Sequence, residues 1–156
     1  MFRTITKLAA FAMVLGLAAC AGRPPAPTPP DPAHNARNAL DWAGSYRGIL
    51  PCADCEGIET TINLYADGQY CAQLVYLGKP GTPWLEHGAF TWGPEGNSVT
   101  LQGSEPSHYF VSENRLVRLA ADGSRIQGPL APKYELPRIA PTAWPGCPKP
   151  QDTPRS

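Results

Sequence analysis

From Ile58 to Leu77 the chain alternates in a way that leaves little choice of local structure. Ile58, Thr60, Ile62 and Leu64 occupy every second position, with Glu59, Thr61 and Asn63 between them. That is the period of a strand with one face buried. Asp67-Gly68 follows, a dipeptide suited to a tight hairpin turn, so Gln69 to Leu77 reads as the antiparallel partner. The same grammar recurs at Tyr46–Ile49, Glu86–Trp92, Ser98–Leu101, His108–Val111, Arg115–Leu119 and Arg125–Gln127. Short strands at this spacing, punctuated by Gly, Pro, Asn and Asp, predict an all-β domain built as an antiparallel barrel or sandwich. Beyond Leu136 there are six prolines in the last twenty residues and no apolar period, so the segment 137–156 is expected to be an irregular, proline-rich tail.

The other end of the chain has a different logic. Arg3 and Lys7 precede an uncharged run from Leu8 to Ala19, the layout of a signal peptide over residues 1–19. At twelve residues the run is too short to span a bilayer. It ends Leu17-Ala18-Ala19-Cys20, which resembles the lipobox of bacterial lipoproteins and implies acyl chains on Cys20; the alternative is ordinary cleavage elsewhere. Several acyl chains, at about 0.8 kcal/mol per buried methylene, anchor a domain stably. Ala21, where lipoproteins kept in the inner membrane usually carry Asp, implies the periplasmic face of the outer membrane. Gly22 to Pro32 contains six prolines in eleven residues, an extended spacer of about 30 Å. Asp31-Pro32 is then read as the cap and first position of a short helix within Ala33–Asp41. Residues 20–39 thus form a tether and 40–136 the barrel.

Charge removes one class of partner. Without residues 1–19 the chain has 137 residues, eleven basic and thirteen acidic, enough for one domain and with no basic patch for nucleic acid. Met1 and Met13 leave with the signal, so a soft metal would have to use thiolate or imidazole.

The most informative stretch is WAGSYRGILPCADCEGIETTINLY, residues 42–65, with Cys52 and Cys55 between two strands. Together with the Asp67-Gly68 turn, Glu86-His87-Gly88 and the closing Ile126-x-Gly128-x-Leu130, it resembles the N-terminal domain of the NlpE family of copper-resistance lipoproteins. The resemblance covers roughly residues 40 to 136. It implies a small lipocalin-like antiparallel β-barrel on the outer membrane, a role in copper tolerance, and the reporting of envelope or adhesion stress to an inner-membrane sensor kinase. Larger members add a second, oligonucleotide-binding-type barrel, whereas here the residues after the first run into the proline-rich tail.

Two thiolates three positions apart can face one soft cation, copper(I) or zinc, although a closed zinc site wants four ligands. The competing reading is a Cys52–Cys55 disulfide formed in the oxidising periplasm, which is the expected resting state. With Cys20 lipidated, four thiols allow three pairings. The local pair leaves Cys71–Cys147, a staple worth about 3 to 5 kcal/mol; a free Cys147, or one paired to another protein, is the alternative. His34, His87 and His108 have no metal spacing to one another. Trp42, Tyr46, Tyr70, Tyr76, Trp84, Phe90, Trp92, Tyr109 and Phe110 are read as barrel core and rim.

Three functions compete. The first is a non-enzymatic copper-responsive or stress-sensing lipoprotein using Cys52 and Cys55. The second is a thiol-disulfide oxidoreductase, against which stands the strand-like run after Gly57 where such enzymes place a helix. The third is a carrier of a small apolar molecule inside the barrel. The sequence has no G-x-S-x-G, H-E-x-x-H or glycine-rich phosphate loop.

Overall fold

The structure, a computed structural model, describes residues 34–140 and 145–147. The expected signal peptide, Cys20, the proline spacer and most of the tail lie outside them. Eight strands, β1 (Gly44–Leu50), β2 (Gly57–Leu64), β3 (Gln69–Leu77), β4 (Trp84–Trp92), β5 (Ser98–Leu101), β6 (Ser107–Ser112), β7 (Arg115–Arg118) and β8 (Glu135–Ala140), close into one antiparallel barrel in sequence order. Each strand pairs with its chain neighbour and β8 returns to β1. No helix among the described residues is long and apolar enough to cross a membrane.

The alternation read from the sequence sets the barrel's inside. Ile62 and Leu64 of β2 lie inward opposite Ala72 and Tyr70 of β3, in the register Ile62↔Ala72 and Leu64↔Tyr70. The turn between them places Gly68 at φ +84°, where a Cβ would be strained. One half of the interior is filled by Tyr46, Ile62, Leu64, Tyr70, Leu116 and Leu136, all at most 2% exposed. A short helix, α1 (Ala36–Ala39), caps that end: its cap is Asn35, whose side chain accepts from the Asn38 N–H. Arg37 N–H donates to Gly96 O and Ala36 N–H to Asn97 Oδ1, so α1 sits on the β4–β5 turn. Below it, Trp42, Phe90 and Trp92 meet edge to face at 5.2 to 6.2 Å, a geometry their quadrupoles favour.

Two expectations require correction. The segment after Leu136 is not irregular from its start: Glu135–Ala140 is the closing strand, pairing with β7 and β1. Pro137 lacks the N–H a central strand uses, which argues against a strand in the sequence. The pairing tolerates it because it is short on both sides, three register pairs to β7 and two, offset by a bulge, to β1. Conversely, Arg125–Gln127 is not a strand. It contributes one bridge, Leu119↔Arg125, after a turn held by Ala120 N–H to Ser124 O, and the chain then turns at Gly128 into a 3-10 turn at Ala131–Tyr134.

Candidate functional site

Strand direction sorts the loops into two groups. The β1–β2, β3–β4, β5–β6 and β7–β8 connections gather at one end of the barrel, and α1 with the other turns at the opposite end. Cys52 and Cys55 lie in the β1–β2 connection, so they stand at the end remote from the point where the described chain begins.

This connection is an irregular turn, Pro51–Glu56, between two strands. Cys52 and Cys55 are bonded there as a disulfide, with Cα atoms 5.4 Å apart. Asp54, between them and exposed, puts Oδ1 3.5 Å from Cys52 Sγ, while its other oxygen accepts from Lys79 Nζ at 2.5 Å. The Lys79 hydrogen bond and charge together hold the Asp54 carboxyl below its usual range. Lys79 belongs to the β3–β4 connection, so the ion pair ties two neighbouring loops together. The Cys52, Asp54 and Cys55 ligand atoms all lie within 4.8 Å of one another, the one such His, Cys, Asp and Glu cluster among the described residues.

As a donor set this fits a soft cation under one condition. A disulfide offers no thiolate; reduction would supply two, beside a carboxylate whose Oδ1 already faces them. Two thiolates suit a soft cation such as copper(I) or zinc, and this set lacks the four closed ligands of structural zinc. The loop also lacks the helix N-terminus that lowers the pKa of the attacking cysteine in disulfide oxidoreductases. His87 and His108 lie elsewhere, on β4 and β6; His108 Nδ1 is 2.9 Å from Thr100 Oγ1 and His87 Nε2 is 3.9 Å from Cys71 Sγ.

Cys71 and Cys147 form the second disulfide, at the other end of the barrel and fully buried. Cys147 carbonyl oxygen accepts from Asn63 Nδ2 at 2.8 Å and Tyr65 OH at 2.9 Å, and Ser45 Oγ donates to Asn63 Oδ1 at 2.6 Å. Thus Asn63, on the outer face of β2, is buried beneath Cys147. Sequence reasoning missed Asp54 as a third candidate donor although it stands inside the Cys-x-x-Cys. Lys79 gave no local signal, because its partner is 25 residues away.

The NlpE N-terminal domain family matches residues 46–129. Lipoprotein NlpE of Escherichia coli K12 is 38% identical over 85 residues, covering 53% of this chain and 36% of that protein, so the chain spans about a third of that relative's length. A crystal structure of a Shewanella oneidensis protein described as a lipoprotein is 45% identical, covers 67% of this chain and 95% of its own, and superposes with a TM-score of 0.64. The crystal structure of the Cpx pathway activator NlpE from Escherichia coli is 34% identical over 55% of this chain and 46% of its own, with a TM-score of 0.47.

Proposed function

The chain belongs to the NlpE family through its N-terminal domain, and from that premise we propose that it is a non-enzymatic envelope lipoprotein, anchored through Cys20 at the outer membrane, whose Cys52–Cys55 loop responds to copper and to envelope stress. The observation that carries this reading is the cluster of Cys52, Asp54 and Cys55 at the end of the barrel opposite α1. A tether joined at the α1 end would leave that loop facing away from the anchor. An inner-membrane sensor is then a natural partner, since the loop is presented across the periplasm.

Reduction of the disulfide frees two sulfur ligands for copper(I), and Asp54 adds an oxygen from the same turn. Oxidation withdraws both thiolates at once, so metal binding and the thiol state of the loop are linked. The measurement is a copper(I) competition titration of the domain, reduced and oxidised, beside a Cys52→Ser, Cys55→Ser variant. The reduced wild type is expected to bind one copper(I), and the other two forms to bind far more weakly. Equal affinity in all three would remove the loop from the reading. Equal copper tolerance of a deletion strain carrying either gene would remove the physiological half.

A further inference from the structure

The barrel is filled unevenly. Where the α1 end is packed with tyrosines and leucines, the inward positions toward the Cys52–Cys55 end include the smaller Thr60, Ala72 and Ser107. They leave a cavity of about 690 Å³, the space of roughly twenty water molecules and within the range that holds organic ligands. Its walls differ in character. Leu50, Ile58, Ala72 and Leu74 make an apolar side on β1 to β3, with Trp84 exposed at the rim; Ser107, Tyr109 and Arg118 make a polar side on β6 and β7.

The charged groups of the cavity can be accounted for individually. Glu86 is committed to the wall: Oε2 accepts from Tyr70 OH at 3.2 Å, and Oε1 from Ser104 N–H and Oγ–H at 2.8 and 2.9 Å. Glu105 is exposed at the mouth. Arg118 differs. It donates to Tyr109 OH at 2.9 Å and stands 5.1 Å from that ring's centroid. No carboxylate pairs with it among the described residues, whereas Arg115 has Glu135 and Arg138 has Asp41. A guanidinium carries five N–H donors in a fixed fork that matches a carboxylate. It stands half-buried across the cavity from the apolar wall, with no carboxylate partner among the described residues.

We propose that this cavity binds a long-chain carboxylate, its chain against Leu50, Ile58 and Leu74 and its head accepting hydrogen bonds from Arg118. A chain of sixteen to eighteen carbons has about the number of heavy atoms the space allows. The site is independent of the copper reading, although Pro51, next to Cys52, lines the same mouth.

The test uses the mature chain carrying Cys20→Ser, so that no attached acyl chain competes, titrated with dansyl-aminoundecanoic acid, its methyl ester and the corresponding alkylamine. The acid is expected to bind saturably at one site, and the ester about tenfold or more weaker, the loss of one charge-assisted pair. Arg118→Gln should weaken the acid by a similar factor and leave the ester unchanged, which also reports that the cavity remains folded. Ala72→Trp should abolish both by filling the apolar wall. Absence of acid binding, equal affinity for acid and ester, tighter binding of the amine, or an unaffected Arg118→Gln variant would each overturn the proposal.

Discussion

Replacing Cys71 and Cys147 together by serine should cost the domain more stability than replacing Cys52 and Cys55, even though the second pair occupies the loop on which function is proposed to rest. The Cys71–Cys147 bond spans a sequence separation of 76 and the Cys52–Cys55 bond one of 3. In the chain-entropy model the cross-link then raises the free energy of the unfolded state by about 4.5 kcal/mol in the first case and about 2 kcal/mol in the second. The native state adds to the contrast. The long staple holds the Cys147 carbonyl against Asn63 and Tyr65, and Asn63 is fully buried. Releasing it lets water reach a face the barrel had covered, whereas the short staple closes a half-exposed turn. The assay is urea unfolding followed by circular dichroism on the two double variants and the wild type, without reductant. With a slope of about 1 to 3 kcal/mol per molar, the Cys71→Ser, Cys147→Ser midpoint should lie about 1 to 2 M below that of the other variant. Equal midpoints, or the reverse order, would refute the claim that the distal staple is the one that holds the fold.

Three further outcomes follow from particular contacts. Gly48→Ala places a Cβ 2.6 Å from Glu135 O and 3.3 Å from Leu136 Cα, so β8 must move; a thermal melt should show a loss of about 1 to 3 kcal/mol. Asp54, held low by Lys79, contributes stability that is present above its unfolded value and lost as pH falls through the folded one. In Lys79→Met a carboxyl NMR titration should find Asp54 moved back up, and an unmoved value would mean that the ion pair does not persist in solution. Burial first, and then the charge of Glu86, push the Tyr70 phenol well above its ordinary 10.0. The folded state therefore keeps its proton where the unfolded state loses it, and stability should be complete below about pH 10 and fall as pH rises beyond it. Tyr70→Phe should flatten that alkaline limb, as followed by urea midpoints across the range.

The match between sequence and fold was best where local pattern and tertiary environment agree. In β2 and β3 the inward face carries the apolar residues, buried from Thr60 to Leu64 and from Tyr70 to Ala72 and more open toward Ile58 and Tyr76, so alternation and the Asp67-Gly68 turn located both, with β3 at its observed bounds. β8 was missed because Pro137 reads as a breaker, and only the need to close the barrel against β1 overrides that. Arg125–Gln127 looked like a strand because its composition permits one. Its neighbourhood instead draws Arg125 over the Phe110 ring, 3.8 Å from the centroid, and carries the chain toward the mouth. In the candidate site, the cysteine pair was legible from its spacing, and Asp54 was visible though passed over.

What the sequence determined alone is what depends on near neighbours: the period of the strands, the hairpin turns, the Cys-x-x-Cys, and the family resemblance those residues carry. What tertiary structure decided is everything that requires distant segments to meet. It put Lys79 beside Asp54 and buried Asn63 beneath Cys147. It also turned small residues on separate strands into a cavity in which Arg118 has no carboxylate partner among the described residues. The physical reason is that a period is written in consecutive side chains, whereas charge balance and empty volume are properties of the closed barrel.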